Sequence, residues 1–379
     1  MPRTLEILDR LVAFPTVSRN SNLDLIDWVR DLLQTAGFQV HRIYSPERSK
    51  AGLFARIGPQ TEGGVCLSAH TDVVPVDGQP WTRPAFELSR EGERLYGRGT
   101  TDMKGFLASL LALAERAAKA ELKRPLSLSI SYDEEIGCVG IRQMMPQLAK
   151  FIGKPDAVIV GEPTSMQIAI GHKGKTASRL NCHGDSGHSA LAPKFVNAIH
   201  VAADVVREIQ QVQMQLAKGP RDEAYSIPYS TAHVGCIEGG RALNIVPDLA
   251  TLDLEIRHLP QVHAHEIRAM IDAALTRVSD HYPSVRKVEI EETNAYPGLA
   301  LATDDPIIAW AGEVTHGSQV KKVAFGTEAG FFAELGLSTI VIGPGDMATD
   351  GHKPDEGLDI SQLNACDAMM NRICADLSG

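Results

Sequence analysis

The stretch Val65-Cys66-Leu67-Ser68-Ala69-His70-Thr71-Asp72-Val73-Val74-Pro75 decides how the chain is read. Its first half is apolar enough for a buried strand, expected over about 64–70, and its end turns polar. In a strand, residues i and i+2 project to the same side. His70 and Asp72 therefore leave the core together, at the strand end where α/β proteins place their chemistry. A strand that merely becomes polar on reaching water has the same local pattern, so the neighbouring strands have to discriminate.

Upstream, amphipathic patterns predict helices over 4–14 and 22–36, the second stopped by Gly37, and short strands near 39–44 and 52–57. Downstream, a loop containing Gly and Pro runs from about 75 to 100. A helix over 104–120, a strand over 126–132, a helix over 138–149 and an apolar strand over 156–160 follow. This alternation predicts an α/β fold with a mostly parallel sheet flanked by helices. Near residue 176 the texture changes: an exposed, half-polar strand begins at TASRLNCHGDSGHSA. It is followed by a helix over 194–217, strands near 231–237 and 250–257, a helix over 261–280 and a strand near 285–292. That β-α-β-β-α-β order is ferredoxin-like α+β. After Pro297 the α/β texture returns, with helices over 304–316 and 327–335, a strand over 339–342 and a last helix from about 360. The expected organisation is 1–175 and 293–379 as two parts of one domain, with 176–292 inserted.

The 379 residues exceed one ordinary core, in keeping with two domains. Against 37 basic residues stand 47 acidic ones, a net charge of −10. This argues against nucleic acid or an anionic membrane surface as a partner. Six scattered cysteines (66, 138, 182, 236, 366 and 374) form no C-x-x-C pair, which suits reduced thiols in a cytoplasmic protein. The opening MPRTLEILDRLVAF lacks the long apolar region and cleavage site of a secretion signal, and no apolar run reaches the length of a membrane span.

Each core strand of the first domain finishes in acid or histidine. Asp102 lies in the loop before the 104–120 helix. The 126–132 strand runs into Asp133-Glu134-Glu135, the 156–160 strand into Gly161-Glu162, and the 339–342 strand is followed by Gly351-His352. At one edge of a parallel sheet, His70, Asp102, Glu135, Glu162 and His352 can converge. Carboxylates crowded together cannot all ionise without a counter-charge. Two histidines and three carboxylates suit zinc, cobalt or manganese, and three carboxylates can bridge two such ions.

The strings SAHTDVVPVDG, LYGRGTTDMKG, SYDEEIG, VGEPTS, GHSALAP and GHKPDEG resemble the dinuclear-zinc aminoacylase and carboxypeptidase family, in the family's order and over nearly the whole chain. The resemblance implies a catalytic domain interrupted by a lid and dimerisation domain. It implies two divalent metal ions, Zn2+ first and Co2+ second. His70 and Glu162 would hold one ion, Glu135 and His352 the other, and Asp102 would bridge them beside a cis peptide to Met103. Asp72 would sit behind His70 and fix its ring. Glu134, the free neighbour of Glu135, would be the general base that takes a proton from the attacking water and passes it to the departing amine. In the lid, His188 would reach a partner subunit's site as an oxyanion donor of a homodimer. Asn244 and Arg257 would contact the substrate, Arg257 as a clamp on an α-carboxylate. Glu328 would face the substrate's distal amine.

The implied substrate is a small-molecule N-acyl amino acid. GEPTSMQIAIGHKGK, RALNIVPD, AFGTEAGFFAELG and IVIGPGDM favour removal of acetyl from Nα-acetyl-L-ornithine, a step of arginine biosynthesis. Desuccinylation of diaminopimelate derivatives, other acylated amino acids and dipeptides are chemistries sharing the same site, and a non-catalytic metal-dependent binding protein is the reading from another class. One departure concerns the pair before the metal histidine. Members acting on acetylornithine commonly carry glutamine-alanine there, and this chain has Asp350-Gly351, a change expected to alter the pocket wall. The string Gly184-Asp185-Ser186-Gly187 resembles a serine-protease nucleophile segment, but the chain has no matching histidine segment. A G-x-S-x-G elbow, an H-E-x-x-H helix and a phosphate loop are absent as well.

Overall fold

The computed structural model describes residues 2–282 and 288–379. In chain order the main elements are α1 (Pro2–Val12), α2 (Leu23–Thr35), β1 (Gln39–Tyr44), β2 (Ala51–Ile57), β3 (Val65–His70), α3 (Gly105–Ala117), β4 (Leu126–Ser131), α4 (Val139–Phe151), β5 (Ala157–Val160) and β6 (Ile168–Ala169). Next come β7 (Gly174–His183), α5 (Ala198–Leu216), β8 (Thr231–Gly239), β9 (Leu249–His258), α6 (Ala264–His281) and β10 (Glu289–Tyr296). The chain finishes with α7 (Pro306–Thr315), β11 (Val320–Lys321), α8 (Ala329–Glu334), β12 (Thr339–Val341) and α9 (Ile360–Ser378). The residues fall into two compact units, 1–171 with 299–323 and 327–379, and 172–298 with 324–326.

The first unit is built on an eight-stranded sheet in the order β1-β2-β4-β3-β5-β12-β6-β11. Its four central strands, β4-β3-β5-β12, are parallel, and the outer β1-β2-β4 pairings are antiparallel. Every residue of β3, β4, β5 and β12 is buried, as expected of strands covered on both faces. Register levels their ends: His70 pairs with Ser131, Ser68 with Val160, and Val160 with Val341. The polar segments that follow these strands therefore leave the sheet at one edge.

Helix α3, GFLASLLALAERA, is rich in Ala and Leu and buried nearly all round, so it serves as a core helix. Together with α1 and α9 it belongs to one apolar cluster that also takes in the inner faces of β2–β5. Thr4 Oγ1 donates to Asp367 Oδ2 at 2.7 Å, which ties α1 to α9. Gly161, after β5, has no side chain because any Cβ there would overlap the Phe106 ring of α3.

The second unit is a four-stranded antiparallel sheet in the order β8-β9-β7-β10. With α5 and α6 this is the ferredoxin-like arrangement expected from the sequence. The alternating burial of β7 and β9 puts Leu180, Cys182, Leu252, Leu254 and Ile256 in one core with the apolar stripes of α5 and α6. The strand expected near 285–292 begins at Glu289, and its first part falls on 283–287, outside the described residues. Helix α5 starts at Ala198 rather than near 194: Asn197 Oδ1 accepts the N–H of Ile199 at 2.9 Å and caps it, after a separate turn at Ser189–Lys194. The stretch expected as loop over 75–100 contains two short strands, Ser89–Glu91 and Arg94–Tyr96, laddered with Gly357–Asp359. Among the described residues no helix is long and apolar enough to cross a membrane.

Candidate metal centre

At the levelled strand ends the first unit gathers two groups of ligand-type side chains. One is His70, Asp102 and Glu162; the other is Asp102, Glu135 and His352. In each group the ligand atoms lie within 4.8 Å of one another. The Asp102 carboxylate faces both groups: Oδ1 is 3.2 Å from His70 Nε2 and Oδ2 is 3.2 Å from His352 Nε2. His70 Nε2 is 3.7 Å from Glu162 Oε1, and His352 Nε2 is 2.9 Å from Glu135 Oε2. Asp102 lies in an irregular turn, Thr100–Lys104, that leads into α3, and its peptide to Met103 is cis. His352 adopts a left-handed φ of 61° in the loop after β12.

Asp72 does more than its strand position implies. His70 Nδ1 lies 2.9 Å from the Asp72 carbonyl and 3.5 Å from Asp72 Oδ1. The same carboxylate accepts the backbone N–H of Glu134 at 3.0 Å, the N–H of Glu135 at 3.2 Å and the hydroxyl of Ser18 at 2.7 Å. One buried side chain thus sets the ring of one group and the backbone of the adjacent glutamates. Asp133, at a left-handed φ of 55°, turns the chain after β4 and is ion-paired to Lys50 at 2.5 Å. Glu134 belongs to neither group; its Oε1 accepts from Cys138 Sγ at 3.3 Å.

The charges are strongly coupled. Burial, reinforced by the negative charge of Asp102, lifts Glu135 to about 7 and Glu162 well above the usual carboxylate range. Glu134 is also lifted well above that range, first by burial and then by Glu135, Asp102 and Glu328. Burial opposes ionisation of Asp102 too, but the hydrogen bonds from His352 and His70 outweigh it and hold this carboxyl below its ordinary value. His352 rises to about 10 through its bonds to Asp102 and Glu135. His70 rises because its bonds to Asp102 and Asp72 outweigh the burial that works against its charge. In both groups a carboxylate oxygen, Glu135 Oε1 and Glu162 Oε1, is buried with no hydrogen-bond partner. A buried acceptor of this kind calls for a cation, and the mixed imidazole and carboxylate donors suit a divalent metal in each group.

The other residues singled out from sequence divide between the two units. Glu328 is 1% exposed and beneath the strand ends, with Ser131 Oγ donating to it at 2.5 Å and Ser68 Oγ at 3.4 Å. Hydroxyls from β4 and β3 occupy both its oxygens, an arrangement different from an acid facing a substrate amine; burial raises it to about 7. In the second unit, His188 and Asn244 are exposed and adjacent. His188 pairs with Ile245 in a short ladder, and Ser189 N donates to the Asn244 carbonyl at 3.1 Å. The Arg257 fork is taken by Glu255, at 2.9 and 3.2 Å, and its remaining nitrogen donates to Tyr296 Oη at 2.5 Å. A carboxylate ligand would have to displace Glu255. Asp350 is ion-paired with Arg94, which also holds Asp359 at 2.9 Å. A Cβ on Gly351 would overlap Met347. The Asp350-Gly351 pair thus has a local structural reason, through partners on either side of the loop. Glu356, Arg98 and Gln79, absent from the sequence reading, lie directly behind the second group.

The pattern of peptidase family M20/M25/M40 matches residues 66–376. Acetylornithine deacetylase of Shigella sonnei (strain Ss046) is 34% identical over 367 residues, covering 95% of this chain and 94% of that protein. An M20 family metallo-carboxypeptidase from Sulfolobus solfataricus superposes with a TM-score of 0.82 at 20% identity, covering 100% of both chains. The YXEP protein of Bacillus subtilis, a dinuclear metal binding peptidase from the M20 family, gives 0.66 at 15% identity, covering 99% of this chain and 97% of that one. The two structural likenesses carry the fold.

Proposed function

The chain belongs to peptidase family M20/M25/M40, and from that premise we propose that it is a metal-dependent amidohydrolase that removes the acetyl group from Nα-acetyl-L-ornithine, giving L-ornithine and acetate. The observation that carries the reading is the pair of ligand groups sharing Asp102, beside a buried glutamate that belongs to neither. Two divalent cations held there, zinc by first choice and cobalt by second, would supply Lewis acidity toward the acyl carbonyl and lower the pKa of water. His70, Glu162, Glu135 and His352 would hold them, with Asp102 between.

The remaining work falls to the chain's own groups. Glu134 has its backbone fixed by Asp72, and its raised affinity for a proton suits a group that must take one from water and release it to the amine. Burial around it keeps bulk water from competing for that proton. The reading gives His188 the role of oxyanion donor and Asn244 and Arg257 contacts to the substrate; the exposure of His188 and Asn244 supports it. For Arg257 it requires exchange of Glu255 for the substrate carboxylate. A homodimer through the second unit is supported by the exposed apolar side chains there, including Leu191, Ile199, Ile237, Leu243, Ile245 and Leu249. Sizing chromatography should then report about twice the 41.0 kDa of one chain.

The testing assay offers Nα-acetyl-L-ornithine, N-succinyl-diaminopimelate and Nα-acetyl-methionine to protein loaded with zinc or cobalt, with Glu134→Ala as control. A preference for acetylornithine that disappears in the variant is expected. Preference for another amide would keep the metal chemistry and overturn the substrate. A folded, metal-loaded protein that hydrolyses none of the three would favour a binding protein.

A further inference from the structure

We propose that Glu356, Arg98 and Gln79 form a clamp that positions Asp102 and His352 and thereby sets the affinity of the Asp102, Glu135 and His352 group for its cation. All three lie in the first unit, and none belongs to a ligand group. Glu356 and Arg98 are each 1% exposed and ion-paired at 2.8 Å. Glu356 Oε1 accepts the backbone N–H of Thr101 at 2.9 Å and of Asp102 at 3.0 Å. Glu356 Oε2 accepts the N–H of Gly99 at 3.0 Å besides the Arg98 guanidinium. Its carboxylate is thus shared between the backbone that enters and forms the turn presenting Asp102 and the Arg98 guanidinium.

The second arm runs through Arg98. Its Nη2 donates to Gln79 Oε1 at 2.5 Å, and Gln79 Nε2 donates to the His352 carbonyl at 2.9 Å. Arg98 Nη1 also donates to the Lys353 carbonyl at 3.3 Å. Trp81 fixes the middle of the chain: its ring lies 5.0 Å from the guanidinium and its Nε1 donates to Gln79 Oε1 at 3.0 Å. One connected set of bonds therefore grips both segments that the second group must bring together. The two ligands that belong to the His70 group alone have their own anchors, since Asp72 holds the His70 ring and Glu162 lies two residues past β5, so this group meets the clamp only through the shared Asp102. The His352 side chain is 49% exposed and stands on a left-handed residue, so its place depends on what holds the loop. Partners behind ligands orient them, and their loss typically weakens metal affinity about 10–100-fold. The asymmetry predicts which cation suffers.

The inference rests on the reading of the two groups as cation sites. The experiment is titration of the metal-free full chain with Co2+, followed by visible absorption and calorimetry, for the wild type, Glu356→Gln, Gln79→Ala and Arg98→Lys. The wild type should take two equivalents. In Gln79→Ala the first equivalent should keep its affinity, the second should weaken about 10–100-fold, and its share of the cobalt spectrum should appear only at higher metal concentration. In Glu356→Gln, which frees the backbone of the shared Asp102, both should weaken, the second the more. Arg98→Lys, which keeps charge but not the fork, should fall between. Gln79→Ala leaves the buried ion pair intact, so it remains informative if Glu356→Gln does not fold. Wild-type affinity for both equivalents in Gln79→Ala would overturn the clamp, as would equal weakening of both. A wild type that binds a single equivalent would overturn the two-cation reading, and the clamp with it.

Discussion

Asp72 joins three tasks at one carboxylate: it faces the His70 ring and holds the amides of Glu134 and Glu135. Removing it should therefore weaken metal binding and misplace the proposed base, Glu134, together, whereas a change at Glu134 should separate the two. Glu134→Gln keeps the shape and the Asp72 contact but cannot take a proton. It should lower kcat by about 10²–10⁴-fold while metal content, measured on the purified protein, stays at the wild-type level; retained turnover would remove Glu134 from the proposed role. Most ligand-type residues were legible in the sequence because His70, Glu135 and Glu162 end or closely follow apolar strands and Asp102 precedes a core helix, whereas His352, in the long loop after β12, was marked chiefly by the string GHKPDEG. Glu356 was not, because the amides it holds come from a turn 254 residues earlier in the chain. Cys138 was hidden for another reason: its contact with Glu134 depends on a left-handed φ of 57° that no pattern of residue types announces. Arg257 carried a signal for charge, and the partner it takes, Glu255, is two residues away on the same face of β9.

Among the elements, β5 and α3 meet where Gly161 lies against Phe106. Gly161→Ala should force the strand end from the helix and destabilise the fold by about 1–3 kcal/mol, read by denaturant unfolding. Because Glu162 is the next residue, the same change should weaken metal binding, and Phe106→Leu in the same background should restore part of both. Unchanged stability in Gly161→Ala would show that this contact yields. The parallel strands were readable because burial on both faces makes them continuous apolar runs. The three-residue strands Ser89–Glu91, Arg94–Tyr96 and Gly357–Asp359 were not, since such short ladders show no period of their own. The first turn of α5 was misplaced because a separate turn containing Pro193 precedes the Asn197 cap.

For the molecule as a whole, the crowded carboxylates link stability, acidity and metal. Burial raises the Glu135 pKa from an ordinary 4.5 to about 7 in the folded, metal-free chain, so between these values the folded state binds more protons than the unfolded one. Stability from this group is present below about pH 4.5 and is lost as pH rises toward 7. His352, raised from 6.5 to about 10, extends the loss in the same direction, and Asp102, held below its ordinary 3.8, opposes it only in strong acid. A metal ion requires the deprotonated ligands, so its stabilisation grows over the range in which the metal-free protein weakens. Melting temperatures of metal-free and loaded protein measured between about pH 5 and 8 should diverge as pH rises; a constant gap would mean that the acids do not hold their protons in the metal-free fold. The two-unit division and the ferredoxin-like insertion follow from a change in strand patterning near residue 176. The local reasons for the Asp350-Gly351 pair depend on Arg94, far earlier in the chain, and on the packing of Met347, neither of which a residue pattern announces.

Asp102 belongs to both groups, yet the residue that anchors its amide is made much later, at position 356. A ribosome that has reached residue 162 has already supplied every side chain of the His70 group, but not the support beneath their shared aspartate. Order of synthesis and order of maturation therefore differ: a chain released early carries a full set of donors for one ion in an unfinished cradle. On the two-cation reading, synthesis of the 352–356 stretch, rather than of the His70 group's own ligands, completes the cradle for loading.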